Sequence, residues 1–266
     1  RYGCASCPVR CGAIVKVNEG PFATREEMHR PEYETLGAFG TNCRNDNLES
    51  IIRANEICNH FGIDTIGVGG VISFSMECYE NGLITSRDTG GLDLTWGNSA
   101  SIVALTEQVA RREGFGALLA DGTRRAAEQI GSGAEEYAMH VGGRELPLHD
   151  PRFNPARGCF YISDATPAQH CGPQSMGMLD RGAPLGSNPL LQSDSPGPYQ
   201  GYDRKGDIYA RGAAHWQLLS SAGLCSLYSV QMQVPVVELL AAVTGWDIGW
   251  DEGLRAGKRV LTLRQA

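Results

Sequence analysis

A mainly α, multihelical fold in two helical domains with few short strands is predicted for this chain of 266 residues. Three observations predict it. Apolar residues recur at helical spacing over several long stretches, those stretches end at glycines, and strand-like runs are sparse. With 42% hydrophobic and 20% charged residues, the chain can bury a proper core and is long enough for one large domain or two small ones.

Taken in order, Cys11 to Val17 reads as a short strand. From Asp46 to Phe61 the residues Leu48, Ile51, Ile52, Cys58 and Phe61 fall largely at helical spacing, Asp46 with Glu49 makes a capping box, and Gly62 sits where a left-handed C-terminal residue belongs. Further helices are predicted from Thr65 to Asn81 before Gly82, from Ser99 to Glu113 before Gly114, and from Ala117 to Ile130 before Gly131. Glu136 to Val141 reads as a second short strand. Pro147, Pro151 and Pro155 break any helix there, which sets a domain boundary with residues 1–150 before it and 151–266 after it. Extended sequence is expected to run on to Cys171. The Pro/Gly/Ser-rich stretch from Gly182 to Gly206 reads as a long surface loop, a kind of segment that often carries function. Asp207 to Ser220 and Val236 to Thr244 complete the helices, the latter with Pro235 in the first turn.

Charge and hydropathy exclude some partners. No run of about 18 apolar residues occurs, so no membrane-spanning helix is expected, and a net charge of -7 argues against nucleic acid. Nine cysteines, an odd number, fit disulfide pairing poorly and fit a reducing, cytoplasmic compartment well.

The chemistry begins with Cys4-Ala-Ser-Cys7-Pro-Val-Arg-Cys11, three thiols on one short segment, with Cys225 far downstream in Ala222-Gly223-Leu224-Cys225. Three soft ligands leave a tetrahedral site or a cubane cluster one short, and a distant fourth thiolate completes it. A run of three cysteines plus one remote cysteine is the habit of a 4Fe-4S cluster, whereas structural zinc usually brings two knuckles together; zinc is the alternative. Cys43, Cys58, Cys78, Cys159 and Cys171 read as buried small hydrophobes, with Cys43 and Cys171 the two able to approach a metal.

With Pro31-Glu-Tyr-Glu-Thr-Leu-Gly-Ala-Phe-Gly40, Ala54 to Thr65, Met76-Glu-Cys-Tyr79, Glu113-Gly-Phe-Gly116, Ala138-Met-His-Val141, Glu145-Leu-Pro147 and Gly223-Leu-Cys225, the cysteine run resembles the C-terminal domains of the aldehyde ferredoxin oxidoreductase family over nearly the whole chain. The resemblance implies an oxidoreductase that converts aldehydes to carboxylic acids at a tungsten or molybdenum bis-pterin centre. It further implies a 4Fe-4S cluster passing electrons to a ferredoxin-like acceptor, and a homodimer. It implies too that an N-terminal domain precedes the cysteine run and that the chain continues past Ala266, so that the fragment alone is inactive. Two alternatives stand: a related tungsten enzyme reducing aromatic-ring thioesters, and an electron-relay or binding module that the cluster merely staples.

Carried over by residue, Cys4, Cys7, Cys11 and Cys225 correspond to the cluster ligands. The family's two pterin-cradling motifs fall on Asn59-His-Phe-Gly62-Ile63-Asp64 and on Ser220-Ser-Ala-Gly223-Leu224-Cys225. Asn59 and Ser220 stand where the motifs lead with aspartate, which turns charge-assisted hydrogen bonds into neutral ones of roughly half the strength. Gly62 also reads simply as a helix terminus. Glu34, in Glu32-Tyr-Glu34, corresponds to a glutamate near the metal, and His170, in Asp164 to His170, to a histidine able to bond the substrate carbonyl or shuttle a proton. Glu34 reads equally well as a solvated or capping carboxylate ahead of Leu36. His140 and His149 read as structural, in the turns flanking the boundary.

Overall fold

In a computed structural model, which describes residues 1–183, 191–192, 202–229 and 233–266, the chain divides into two compact units, Arg1–Leu148 and His149–Ala266. Twelve α-helices and two small two-stranded sheets make up the regular structure among the described residues, a mainly α fold. Most of the loop expected from Gly182 to Gly206 lies outside the described residues. No helix among the described residues is long and apolar enough to cross a membrane.

The first unit opens on an antiparallel pair, β1 (Ile14–Val15) and β2 (Met28–His29), with Ile14 opposite His29. The strand expected over 11–17 is this short because its partner offers only two residues. Helix α1 (Tyr33–Phe39) follows and was not foreseen: it has seven residues and carries Gly37, where a β-carbon would strike Leu148 Cγ at 2.6 Å. Helix α2 (Leu48–Phe61) is capped by Asn47, whose Oδ1 accepts from Ser50 N at 2.9 Å. The expected Asp46–Glu49 box is therefore replaced by a cap one residue on, and Gly62 ends the helix at φ 69°. Helix α3 (Thr65–Glu80) buries Val68, Val71, Ile72, Phe74, Met76 and Cys78, and so runs through the core of the unit.

Helix α4 (Ser99–Arg111) stops two residues short of expectation because Arg112 adopts the left-handed conformation at φ 56°. The single helix expected over 117–130 is two, α5 (Gly114–Leu119) and α6 (Thr123–Ile130). Gly122, at φ 91°, breaks the run, and the freed Thr123 N donates to Glu145 Oε1 at 2.7 Å. The strand expected over 136–141 begins instead as a 3-10 turn, Ala134–Tyr137, before β3 (His140–Val141) pairs with β4 (Arg144–Glu145). Gly142 and Gly143 both hold positive φ, as a two-residue type I′ hairpin requires.

In the second unit the sequence from Pro155 is helical rather than extended. Helix α7 (Pro155–Ser163) starts on its proline, with Asn154 Oδ1 accepting from Arg157 N at 3.2 Å, and α8 (Pro173–Asp180) starts on a proline too. Proline lacks only an N–H that the first turn leaves unbonded. Helix α9 (Lys205–Ser221) packs against α7, α8 and α12 (Trp250–Gln265). Short α10 (Ser226–Ser229) and α11 (Val236–Thr244) lie between α9 and α12 in sequence. The core gathers Phe160, Met176, Leu179, Ile208, Leu219 and Val237. Helix α12 approaches α9 through glycines: a β-carbon at Gly257 would lie 2.0 Å from the Ala214 carbonyl oxygen. Lys205 and Asp180 form an ion pair with both side chains buried.

Candidate metal and cofactor centre

The cysteine run forms a turn. Cys7 N donates to Cys4 O at 3.1 Å, and Ser6 (φ 57°) and Arg10 (φ 47°) are left-handed, which curls the loop. Its base is pinned by Tyr2 packed on Gly12, where a β-carbon would lie 2.6 Å from the ring, and by Arg30 Nη2 donating to Cys11 O at 3.1 Å. Cys4 and Cys7 line one shallow concavity of about 420 Å³ with Gly3, Ser6, Pro8 and Arg10; Cys11 is not part of that lining. Among the described residues no three His, Cys, Asp or Glu side chains converge as a ready-made metal site.

The nine thiols, none in a disulfide, fall into three groups by burial, and Cys159 and Cys171, expected to be buried, are half-buried. Cys4, Cys11 and Cys225 are exposed and Cys7 is half-buried. By contrast Cys43, Cys58 and Cys78 are buried, and burial pushes each thiol up to about 12, which removes the thiolate needed for metal binding. Cys43 Sγ donates to Ala38 O at 3.3 Å, so the expectation that Cys43 could approach a metal is corrected: it faces the core. Cys171 sits half-buried with its sulfur 3.5 Å from His170 Nε2. Taken one by one, Cys4, Cys7, Cys11 and Cys225 are soft donors accessible enough to serve as thiolate ligands.

The two motif stretches share one backbone geometry. Gly62 (φ 69°) follows α2 and Ile63 N donates to Cys58 O at 3.0 Å, while Gly223 (φ 75°) follows α9 and Leu224 N donates to Leu219 O at 3.1 Å. Each is a Schellman-type end that turns the chain sharply out of a helix. Asp64 then caps α3, accepting from Ile66 N at 3.4 Å and Gly67 N at 3.1 Å. The ends of the first stretch open onto different clefts. Ile63 and Asp64 line one of about 380 Å³ with Gly67, Val68, Val109 and Glu145. Asn59 lines another, of about 350 Å³, with Arg25, Arg53, Glu56 and Phe61. Ser220 is exposed at the last turn of α9. The Asp64 cleft has apolar walls and a polar rim, which suits a flat heterocycle with polar edges.

Glu34 lies on α1 and is buried, which corrects its reading as a solvated carboxylate; its Oε2 accepts from Leu148 N at 2.7 Å. In the second unit the His170 ring stacks on His149, centroids 5.6 Å apart and planes 27° apart. His149 O also accepts from the buried Tyr161 hydroxyl at 2.9 Å, fixing the chain that carries this stack. His140 Nδ1 accepts from Gly143 N at 3.3 Å within the β3–β4 turn. Glu145 escaped notice as a site residue because a single glutamate before Leu-Pro carries no periodic or spacing signal. It is buried and borders both the Asp64 cleft and a second cavity of about 220 Å³ lined by Ser73, Glu77, Trp96 and Thr123.

Comparison with known proteins adds the following. The family model described as aldehyde ferredoxin oxidoreductase, domains 2 & 3, matches residues 1–266. The chain is 34% identical over 259 residues to the tungsten-containing aldehyde ferredoxin oxidoreductase of Pyrococcus furiosus, covering 97% of this chain and 40% of that protein. It is 32% identical over 261 residues to the like-named protein of Pyrococcus horikoshii, with the same coverage of 97% and 40%. The aliphatic sulfonate oxidoreductase WOR-like subunit of Pyrococcus furiosus is 33% identical over 150 residues, 55% of this chain and 24% of that one. Among solved structures, the active site complex BamBC of benzoyl coenzyme A reductase has a TM-score of 0.73 at 19% identity, covering 100% of this chain and 45% of that chain, which is a likeness of fold.

Proposed function

The chain belongs to the aldehyde ferredoxin oxidoreductase family, matching its domains 2 and 3, and on that premise we propose that the full-length protein oxidises aldehydes to carboxylic acids at a tungsten or molybdenum bis-pterin centre. The two units are assigned to domains 2 and 3 in chain order. Cys4, Cys7, Cys11 and Cys225 would hold a 4Fe-4S cluster serving a ferredoxin-like acceptor. When bound, the metal centre supplies two-electron oxidation with water as the oxygen source, and the cluster supplies single-electron transfer.

The chain's own residues supply the rest. Asn59, Gly62, Ile63 and Asp64 on one side and Ser220, Gly223 and Leu224 on the other hold the pterins, the glycines allowing close backbone approach. Glu34 takes the proton of the attacking water. Its Leu148 N–H bond orients the side chain. His170, steadied on one face by His149, holds the substrate carbonyl oxygen by hydrogen bonding.

The observation that supports this reading is that the three exposed thiols, Cys4, Cys11 and Cys225, all belong to the four matched to cluster ligands, whereas Cys43, Cys58 and Cys78 are buried and Cys159 and Cys171 are half-buried like Cys7. The test is anaerobic reconstitution with iron and sulfide, followed by visible absorption and paramagnetic resonance, which zinc cannot mimic. One cluster per chain is expected, and its loss or a changed potential in Cys225→Ala. An unchanged cluster and potential in that variant would remove Cys225 from the ligand set. Metal and pterin analysis of the full-length protein separates an enzyme from a cluster-stapled relay module, and assay with aldehydes against aromatic-ring thioesters separates the two chemistries.

A further inference from the structure

The cavity of about 220 Å³ beside α3 differs in charge from the neighbouring clefts. Basic side chains line those clefts, Arg25 and Arg53 in that of Asn59, and Arg112 and Arg144 in that of Asp64. The lining of the 220 Å³ cavity has two carboxylates, Glu77 and Glu145, and no Lys, Arg or His. None of the residues matched to cluster, pterin or acid–base roles lines it either.

Its polar groups are held in place but not all are occupied. Gly70 lets Glu145 lie against α3, since a β-carbon there would be 2.7 Å from Glu145 Cγ, and Glu145 Oε1 accepts from Thr123 N at 2.7 Å. Glu77 is half-buried, and its carboxylate pairs with no basic group among the described residues. By contrast Glu80, one turn further along α3, accepts from Trp96 Nε1 at 2.9 Å. Thr123 also lines the cavity at 1% exposure, and its buried Oγ1 has no hydrogen-bond partner among the described residues. A buried hydroxyl left so is costly, and a ligand that bonds it removes the cost.

The walls suit a cation with an apolar body. Phe74, Trp96 and Tyr137 supply aromatic surface, and the Trp96 ring already carries one cation, the Arg44 guanidinium, 5.8 Å from its centroid. Carboxylates repel anions and select N–H donors. A divalent metal lacks its ligand set, because no three His, Cys, Asp or Glu side chains converge among the described residues. We propose that this cavity is a binding site for a small aromatic amine, its ammonium group bonded by Glu77, Glu145 and Thr123 Oγ1 and its ring held by Trp96 and Tyr137. The three N–H donors of an ammonium match the three acceptors on the wall.

The test is calorimetric titration of the full-length protein with benzylammonium, with benzyl alcohol and benzoate as neutral and anionic controls of similar shape. Benzylammonium should bind roughly tenfold or more tighter than benzyl alcohol, the scale of a charge-assisted contact, and benzoate should not bind. Glu77→Gln should weaken benzylammonium roughly tenfold and leave benzyl alcohol unchanged. Thr123→Val keeps the shape of the side chain and removes the unpartnered hydroxyl, so it should melt at or above the wild-type temperature while binding benzylammonium roughly fivefold more weakly. No binding of benzylammonium, equal binding of amine and alcohol, or wild-type affinity in either folded variant overturns the proposal. Calcium binding in place of the amine overturns it as well, as does misfolding of both variants, which makes Glu77 and Thr123 packing residues.

Discussion

Replacing Glu56 by alanine should loosen the segment that supports the cysteine loop. Glu56 lies on α2 at 5% exposure, where its Oε1 accepts from Arg25 N at 2.6 Å and from Glu26 N at 3.3 Å, and its other oxygen pairs with Arg53. Those two amides precede β2, the strand that braces β1 and with it the turn of Cys4 to Cys11. Truncation leaves a guanidinium and two backbone N–H groups without their acceptor. Breaking one partner of a buried pair costs roughly 3–5 kcal/mol. The Arg53 side chain keeps 18% exposure and finds some water, which favours the lower end, about 3 kcal/mol. In a protein of this size each kcal/mol moves the melting temperature by roughly 2–4 °C, so a fall of about 6–12 °C is expected. Thermal unfolding by circular dichroism reads that fall, and amide exchange at Arg25 and Glu26 reads its location. Glu56→Gln, which keeps an acceptor, should lose about half as much. A melting temperature within about 2 °C of wild type, with both amides still protected, would refute the argument.

The thiol populations predict selective alkylation: under native conditions near pH 8, iodoacetamide should label Cys4, Cys11 and Cys225 and spare Cys43, Cys58 and Cys78, whose thiols burial holds at about 12. Mass spectrometry showing Cys43 labelled as fast as Cys4 would contradict this. His215 is buried, and desolvation pushes its imidazole from 6.5 down to about 4. As pH falls through that window the unfolded chain takes the proton first, so the stability is full above 6.5 and is lost towards 4, by roughly 1–2 kcal/mol at pH 5. Urea midpoints at pH 7 and 5 should diverge in wild type and diverge less in His215→Gln. Asp64→Ala removes the α3 cap and should cost about 1 kcal/mol, read from the same denaturation curves. In the full-length protein, Glu34→Gln or His170→Asn should lower aldehyde turnover on the order of a hundredfold with metal and cluster content unchanged; parental rates in both would make these residues structural.

The helices that sequence periodicity revealed, α2, α3, α4, α9 and α11, are those with apolar faces long enough to register. Those it missed pack by other means. Helix α12 meets α9 through Gly253 and Gly257, so its contact face shows no apolar residue at the closest points. Helices α7 and α8 begin on prolines, which read as breakers until their position at the first turn is known. Helix α1 is short, follows Pro31 and carries Gly37. In the candidate site the spacing of Cys4, Cys7 and Cys11 was legible, but the divergence of Asn59 and Asp64 onto separate clefts was not. That divergence depends on the left-handed turn at Gly62, and a six-residue motif gives no direction to its side chains.

Helix α1 rests on α3 at a point where nothing larger than the Ala38 methyl intervenes. Ala38 sits against bare Gly69, and nearby the Thr35 and Thr65 hydroxyls are 2.9 Å apart. A seat made of main chain has no rotamer with which to absorb a change, unlike the leucine and valine contacts elsewhere in the unit, which can repack. The carboxylate of Glu34 rides on one of these helices and the Asp64 cap begins the other. Position 69 therefore works as a gauge block between them: a single added methyl would re-space the two acids while touching neither, and a defect at the centre would then arise from a residue with no chemistry of its own.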